Sequence, residues 1–358
     1  MHQGSSEPGV DDRRGRGTLW RDCSGGLMLS TPLCHLLGID VPIIQAPIGS
    51  ATTPALAAAV SNAGGLGMLA VTWLGLDELR HALRATRRLT DRPFGVNLVL
   101  QWPPDERLAL CLEEGVAVVS FFWGDPTPYI ARVHAAGALA LHTIAQAAEA
   151  RGAVAAGVDV VVAQGWEAGG HVWGQVAAFP LVPRVVDAVA PTPVVAAGGI
   201  GDGRGLAAAL TLGAAGAWMG TRFLLSVEAG AHTAYKDQVL RATEDDTLYS
   251  SLFDGGWPHA PHRALRNSTA RAWEAAGCPP SGHRPGEGDV IATDARGRPV
   301  RRYSDTLPQP GMTGDLEALA LYAGQGVGLA TQIKPAAHIV REVADEAERT
   351  LRRCAAFA

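Results

Sequence analysis

A histidine follows a glycine-rich turn in the segment Ala163-Gln164-Gly165-Trp166-Glu167-Ala168-Gly169-Gly170-His171. Imidazole exchanges protons near neutral pH, so a histidine at the mouth of a cavity can act as a general acid or base. The segment continues an apolar run, Val158–Ala163, that predicts a strand ending at this point. We therefore predict that His171 is the catalytic side chain. Other histidines are expected to be structural, namely His81, His134, His232 and His259.

A second group of residues predicts a phosphate site at the ends of two later strands. The run Val194–Ile200 predicts a buried strand that ends at two glycines, and residues 201–203 lead into a helix. Backbone N–H groups at a helix N-terminus favour an anion. The next strand ends at Trp218–Thr221, where a glycine permits close approach and a threonine adds a hydroxyl. Together the two ends predict a phosphate cup, with tight turns alone as the alternative.

The elements that position these residues follow a regular alternation. Short apolar runs alternate with longer Ala-, Leu- and Arg-rich stretches of helical period, which is typical of βαβ units and a parallel sheet. Eight strands are predicted: Ile43–Ala46, Leu66–Leu69, Phe94–Leu98, Ala117–Phe121, Ala138–Thr143, Val158–Ala163, Pro193–Ala197 and Ala217–Gly220. This count indicates an α/β fold of the (β/α)8 TIM-barrel class. A doubly wound sheet is disfavoured because the first strand is followed by Ala46-Pro47-Ile48-Gly49-Ser50, which lacks the dinucleotide fingerprint.

The alternation stops after the eighth strand, which sets the predicted domain organisation. Residues 29–223 and 323–358 are predicted to form the barrel, with Pro335–Ala355 as its eighth outer helix. Residues 224–322 are predicted to form a lid or substrate subdomain over the barrel mouth. Within that insertion, residues 252–311 are expected to be mostly loop.

Composition narrows the class of protein. The net charge is -5 with no block of like charges, so neither nucleic acid nor an anionic membrane is an expected partner. The five cysteines form no CxxC pair, which predicts no metal site, no disulfide framework and a reducing, cytoplasmic location. No run of 18 apolar residues is uninterrupted, so no membrane span is expected. Residues 1–28 lack the apolar core of a signal peptide and are predicted to be a disordered tail.

The residues around His171 carry a family resemblance. The pattern Gly165-x-Glu167-Ala168-Gly169-Gly170-His171 resembles the signature of the nitronate monooxygenase family, formerly called 2-nitropropane dioxygenases. The related FMN-dependent enoyl-ACP reductases share this signature. Further segments resemble the family in the same order along the chain: Pro42–Pro47, Asn62–Gly67, Gly95–Leu98, Ala197–Ile200 and Met219–Phe223. The resemblance extends from Pro42 to Ala330.

The resemblance implies an FMN-dependent oxidoreductase that uses O2 to oxidise nitronates or nitroalkanes to carbonyl compounds, with release of nitrite. It implies that His171 faces the reactive edge of the flavin. Its expected partners are a small-molecule substrate and O2, and its expected assembly is a homodimer. Ten residues are expected to bind FMN: Asn97, Gln164, Gly169, Gly170, Gly198, Gly199, Trp218, Met219, Gly220 and Thr221. Gln325 is a further expected flavin neighbour, and the segment Arg263–Asn267 is expected to anchor the lid.

Other functions stay open at this stage. An FMN-dependent enoyl-thioester reductase on the same barrel would use NAD(P)H and an acyl carrier. A flavin-holding barrel without turnover and a sugar-phosphate barrel are further alternatives, since the predicted cup specifies phosphate only. Four tryptophans depart from the family pattern, and they indicate either packing or a pocket for something other than a small nitroalkane. They are Trp166, Trp173, Trp257 and Trp273.

Overall fold

The computed structural model describes residues 20–21 and 27–357. Within the predicted disordered tail, residues 1–28, only Trp20–Arg21 and Leu27–Met28 fall in the described range, where they pair as a short antiparallel ladder. The prediction for the rest of the tail lies outside the described residues.

Eight parallel strands form the centre of the fold, each within two residues of its predicted bounds. In chain order they are Ile43–Gln45, Gly67–Ala70, Phe94–Val99, Val118–Phe122, Leu139–Ile144, Val160–Gln164, Val194–Ala197 and Gly216–Met219. From the second strand to the eighth, each strand pairs in parallel with the next, and the eighth pairs with the first. Backbone hydrogen bonds from Gln45 to Leu66 (3.0 Å) and from Leu66 to Ile43 (2.9 Å) join the first and second strands. The predicted (β/α)8 barrel is therefore confirmed.

Helices follow the strands and surround the barrel. The α-helices are Pro32–Leu37, Pro54–Asn62, Leu76–Leu89, Asp105–Glu113, Thr127–Ala135, Ala147–Ala155, Ala178–Val189, Gly203–Thr211, Thr221–Leu224, Thr233–Arg241, Ser268–Ala275 and Ala336–Ala355. Short 3-10 turns are Gly49–Ala51, Glu244–Asp246, Leu316–Ala318 and Gln325–Leu329. The last α-helix packs against Gly203–Thr211 and Pro54–Asn62, which is the position predicted for the eighth outer helix. Among the helices of the described chain, none has both the length and the apolar character that crossing a bilayer requires.

Apolar residues on the two faces of each strand explain this arrangement. One set packs inside the barrel, including Ile44, Val118 and Val162, and another packs between the strands and the helices, including Val96 and Phe121. A strand buried on both faces reads as a continuous apolar run, as parallel sheets require. This packing leaves the carboxyl ends of the strands open, and polar side chains can lie there.

The insertion between the eighth strand and the last helix is largely irregular, as expected. Residues 252–311 contain helix Ser268–Ala275 and short strands, but most of this segment is neither helix nor strand, so the expectation of a mostly loop-like segment is confirmed. The strands of the wider insertion form two small antiparallel sheets: Thr247–Ser250 with His262–Leu265 and Gly170–His171, and Val290–Thr293 with Pro299–Arg301 and Thr313–Gly314. The first of these sheets joins the insertion directly to the predicted catalytic histidine. The division into a barrel and a lid subdomain stays a prediction.

Candidate active site

The carboxyl ends of the barrel strands surround a cavity of about 400 Å³. Residues from the insertion complete its wall, among them Tyr235, Trp257 and Tyr322. Ten of the eleven predicted site residues line this cavity: Asn97, Gln164, Gly169, Gly170, His171, Gly198, Gly199, Trp218, Gly220 and Thr221. Their roles in binding and catalysis stay predictions, but the fold brings them to one place.

Two expected neighbours of a flavin do not line the cavity. Met219 is fully buried and packs against Ile43 and Phe223 outside the barrel interior, because its side chain alternates with the inward-facing Trp218. Gln325 uses its backbone N–H to reach the carbonyl of Glu167 at 2.9 Å, and its side chain is not part of the wall.

His171 is held by backbone pairing rather than by a free loop. The short strand Gly170–His171 pairs antiparallel with the insertion, with His171 opposite His262. The side-chain amide of Gln164 donates to the carbonyl oxygen of His171 at 3.1 Å. On the other side, the backbone N–H of Val172 donates to the carbonyl of Pro261 at 2.9 Å. The backbone of His171 is therefore fixed between the sixth barrel strand and the insertion.

The environment of the His171 ring is aromatic and largely buried. The ring centroid lies 4.2 Å from that of Trp257, 5.5 Å from that of His262 and 5.6 Å from that of Tyr322. Its Nε2 is buried, and the described residues offer it no hydrogen-bond partner. Burial, and to a smaller extent the nearby His262, lower the pKa of His171 to about 3. The ring is therefore neutral at pH 7, so it can accept a proton but does not attract an anion by its own charge.

His262 differs from His171 because both of its ring nitrogens have partners. Its Nδ1 lies 3.0 Å from the carbonyl oxygen of Ala260, and the backbone N–H of Phe253 donates to its Nε2 at 3.2 Å. This pair of contacts requires the neutral ring with the proton on Nδ1. Burial lowers the pKa of His262 to about 4. His262 therefore supports His171 and has no free nitrogen for substrate.

The glycine-rich turn before His171 is shaped by two contacts. The carboxylate of Glu167 accepts the backbone N–H of Ala178 at 2.9 Å, which satisfies a free donor at the start of helix Ala178–Val189. A Cβ on Gly169 would lie 2.4 Å from the backbone nitrogen of Gly324, so only glycine permits this approach of two backbones. Glu167 therefore has a structural role, and Gly169 joins the turn to the chain that follows the insertion.

The backbone N–H groups of the predicted phosphate cup are only partly free of hydrogen-bond partners. The start of helix Gly203–Thr211 is already occupied, since Glu346 accepts the N–H of Gly203 at 2.8 Å and Asp202 accepts that of Gly205 at 3.0 Å. The expectation that residues 201–203 present a free helix N-terminus is therefore wrong, because the packed last helix supplies a carboxylate there. By contrast, the hydrogen bonds of the described chain leave the backbone N–H groups of residues 199–201 and 220–221 without partners. These donors come from two adjacent strand ends and line the cavity.

Two side-chain amides and a hydroxyl add further hydrogen-bonding groups to the wall. The Oε1 of Gln164 is buried without a donor among the described residues. The amide of Asn97 lines the cavity and has no described hydrogen-bond partner. The Thr221 hydroxyl oxygen accepts the N–H of Gly324 at 3.0 Å, which leaves its own proton to donate. A ligand with both N–H donors and an anionic group suits this set.

Aromatic residues that sequence reasoning missed also surround the cavity. Trp73 and Phe122 line it, and Trp102 and Trp123 pack behind them. All four lie at or just after the end of a barrel strand, and that position is the sequence signal that could have identified them. Of the four tryptophans singled out from the sequence, Trp173 and Trp257 join this group. Trp166 packs under the Arg263 guanidinium at 4.6 Å, and Trp273 donates to the carbonyl of Pro279 at 2.9 Å, both away from the cavity wall.

The segment Arg263–Asn267 contacts protein rather than the cavity. The Arg263 guanidinium donates to the carbonyl oxygen of Trp166 at 2.9 Å, and Asn267 accepts the N–H of Ala270 at the start of helix Ser268–Ala275. No residue of this segment lines the cavity wall. These contacts agree with an anchor for the insertion.

The fold and the cavity define a class: a (β/α)8 barrel with unpartnered backbone donors among its described residues after strands seven and eight and a histidine after strand six. The family model described as nitronate monooxygenase matches residues 30–105 and 102–346. The chain therefore belongs to the nitronate monooxygenase family. It is an oxidoreductase of a family whose members depend on a flavin.

Individual relatives agree with this assignment. The chain is 35% identical over 374 residues to a nitronate monooxygenase of Paraburkholderia phytofirmans, covering 91% of this chain and 97% of that protein. It is 44% identical over 252 residues to the (3aS,4S,5R,7aS)-5-hydroxy-7a-methyl-1-oxo-octahydro-1H-indene-4-carboxyl-CoA dehydrogenase of Mycobacterium tuberculosis, covering 70% of each. The structure of FabK from Thermotoga maritima superposes with a TM-score of 0.76 and 35% identity, covering 92% of this chain and 99% of that one. The predicted family is confirmed, and the family match supports the predicted activity.

Proposed function

We propose that this protein binds FMN and oxidises nitronates and nitroalkanes with O2 to carbonyl compounds and nitrite. The observation that carries the proposal is the arrangement of one cavity. Unpartnered backbone donors lie at one side of it, and the neutral imidazole of His171 lies in the same wall. A small-molecule partner follows from the proposal, while the homodimer and the cytoplasmic location stay predictions.

The described residues fit FMN in three respects. The N–H groups of residues 199–201 and 220–221 suit a phosphate, with the Thr221 hydroxyl as a further donor. The free Oε1 of Gln164 suits an N–H of a ring system, and Asn97 offers both a donor and an acceptor. A cavity of about 400 Å³ lies in the range typical of cofactor sites.

FMN, when bound, supplies the redox chemistry, and the residues of the chain supply binding and proton transfer. His171 in its neutral form accepts the proton from the carbon next to the nitro group of a nitroalkane. The C–H bond breaks, its electron pair stays on the substrate as the nitronate, and the proton goes to the imidazole of His171. The nitronate is an anion that forms beside the newly protonated imidazole. Its negative charge raises the pKa of that imidazole.

The low polarity of the surroundings of His171 strengthens this step. The His171 ring is enclosed by Trp257, Tyr322 and His262, so the pair of charges formed by proton transfer is poorly screened. The neutral His262 adds no competing positive charge. The wall contains one formally charged side chain among its described residues, Asp305, whose own pKa is raised by burial.

The pH dependence of the reaction is a prediction of this proposal. Since the neutral form of His171 is the base and its pKa is about 3, kcat/KM for a nitroalkane should show no acidic limb near pH 6.5. The active form is fully present above that pKa and is lost as pH falls through it. Steady-state rates between about pH 5 and 8 test this, since a normal histidine titrates there. A half-maximal rate near pH 6.5 that disappears with preformed nitronate would contradict a neutral resting His171.

A second candidate is redox chemistry on a CoA thioester. The observation that favours it is the 44% identity to a relative named as a carboxyl-CoA dehydrogenase. The enoyl-thioester reductase considered from the sequence belongs to the same group of reactions. That relative matches 70% of this chain, whereas the nitronate monooxygenase of Paraburkholderia phytofirmans matches 91%. We therefore rank this candidate second.

Product analysis tests the proposed activity. The protein loaded with FMN is mixed with the preformed nitronate of 1-nitropropane, and O2 consumption and nitrite are measured together. Nitrite formed in step with O2 consumption supports the proposal. Absence of nitrite, with turnover of an acyl-CoA instead, favours the second candidate.

A further inference from the structure

Six aromatic side chains form one packed group beside His171, which we call the aromatic wall. They are Trp73, Trp102, Phe122, Trp123, Trp173 and Trp257. Their ring centroids lie 4.9 to 6.5 Å apart along a continuous chain of contacts. Aromatic pairs at these separations attract each other beyond the effect of area burial. The group is therefore a defined structural unit.

The aromatic wall is built from separate parts of the chain. Trp73, Trp102 and Phe122 come from the ends of the second, third and fourth barrel strands. Trp173 follows the histidine after the sixth strand, and Trp257 comes from the insertion. Because catalytic and binding groups of these barrels lie at the carboxyl ends of the strands, this convergence places the rings where a substrate binds.

Three members of the aromatic wall face the cavity itself: Trp73, Phe122 and Trp257. Trp257 is 4% exposed, whereas Trp73 is 54% exposed at the open side. Packing of a hydrophobic core does not require an exposed indole ring. An exposed apolar surface inside a cavity indicates a site of ligand contact. Trp73 is therefore free to contact a molecule that enters.

The aromatic wall extends to His171, the proposed base. Trp257 lies against His171 with ring centroids 4.2 Å apart, and Trp123 is 6.4 Å from the same ring. A substrate carbon that reaches the His171 ring therefore lies close to Trp257. Asp305 is the one formally charged side chain among the described residues that line the cavity. The cavity lining therefore offers no cation to a negatively charged substituent. The substituent on the reacting carbon is therefore expected to be neutral and apolar.

We propose, building on the nitronate oxidation proposed above, that the aromatic wall selects nitronates whose reacting carbon carries a bulky apolar ring over those of short alkanes. One methylene in an apolar pocket changes selectivity by roughly 10–200-fold. A ring that contacts Trp257 and Trp73 adds several such groups, so a preference of roughly tenfold or more in kcat/KM is expected.

Two preformed nitronates with the same reacting group test the selectivity. The nitronates of (nitromethyl)cyclohexane and 1-nitropropane are both saturated and primary, and neither needs proton abstraction before oxidation. We expect the FMN-loaded protein to favour the cyclohexyl nitronate by roughly tenfold or more in kcat/KM. A ratio of one or less overturns the proposal.

Variants assign the preference to the aromatic wall. Trp257→Phe and Trp73→Ala should each reduce the selectivity ratio several-fold, and Trp73 is exposed enough for its removal to leave the fold intact. The control is Trp273→Phe, because Trp273 packs in the insertion against Tyr303 and its cluster, away from the cavity. A ratio that neither cavity variant changes overturns the proposal, as does an equal change in the control.

A binding measurement separates this proposal from the activity on which it depends. Cyclohexaneacetate and butyrate are unreactive carboxylates of matching shape, and their binding to the FMN-loaded protein is followed by tryptophan fluorescence. If neither nitronate is oxidised, the proposed function fails. In that case, tighter binding of cyclohexaneacetate that is lost in Trp73→Ala still supports the aromatic wall as a ring-binding surface, and equal binding of both acids overturns it.

Discussion

Replacement of His171 by Asn lowers kcat/KM for neutral nitroalkanes by roughly 10²–10⁴-fold, the usual contribution of a general base. Asn keeps a polar side chain of similar reach but does not exchange a proton. The short strand Gly170–His171 is held by backbone bonds to the insertion, so the fold around the substitution stays intact. FMN content, measured by absorbance after removal of free flavin, should equal that of the parent protein.

Two comparisons make the His171 prediction specific. Preformed nitronates need no α-proton abstraction, so His171→Asn should lower their oxidation much less than that of nitroalkanes. The control is His81→Asn, which changes an exposed histidine on helix Leu76–Leu89 and should have no effect. Unchanged nitroalkane turnover in His171→Asn removes the assigned role. Loss of FMN in that variant would instead indicate a role in binding.

Replacement of Gly220 by Asp weakens FMN binding by at least roughly 100-fold. Gly220 lines the cavity beside the unpartnered N–H of Thr221, and a Cβ there would meet its nearest atoms at 3.6 Å, an ordinary contact. The added carboxylate would occupy the position expected for the FMN phosphate. Two unit charges about 4 Å apart repel by ~4 kcal/mol at an effective dielectric constant of about 20. Each 1.4 kcal/mol corresponds to about tenfold in Kd.

The matched control for this charge effect is Gly220→Asn. Asn has nearly the shape of Asp but no charge, so it should weaken FMN binding far less. Kd is measured by fluorescence titration of the flavin-free proteins, and thermal unfolding without FMN checks that both variants fold. Equal losses in the two variants would mean that size rather than charge matters, and an unaffected Asp variant would place the phosphate elsewhere.

The barrel could be predicted from the sequence because its strands are buried on both faces. Apolar runs such as Val160–Gln164 and Val194–Ala197 are distinct from the helical stretches on either side. The bounds of these strands can therefore be predicted without knowledge of distant residues. The strands of the insertion gave no such signal. Val290–Thr293 has one buried residue, and Thr313–Gly314 is exposed, so neither shows an apolar run or a clear alternation.

The candidate site, too, could be predicted in part and not in whole. His171 and the two glycine-rich strand ends were predicted because each lies in a local motif. The use of the Gly203 N–H by Glu346 was not predictable, since these residues are 143 positions apart in the chain. The contact of Trp257 with His171 depends in the same way on how the insertion folds back. Local motifs indicate where chemistry occurs, whereas its environment comes from distant packing.

Anaerobic absorbance spectroscopy tests the central claim most directly. The purified protein is loaded with FMN and freed of O2, and then a nitronate or NADH is added in separate experiments. The proposed function predicts that the nitronate alone bleaches the flavin absorbance. Bleaching by NADH but not by a nitronate would contradict it in favour of thioester chemistry, and failure to retain any flavin would contradict the assigned cofactor site.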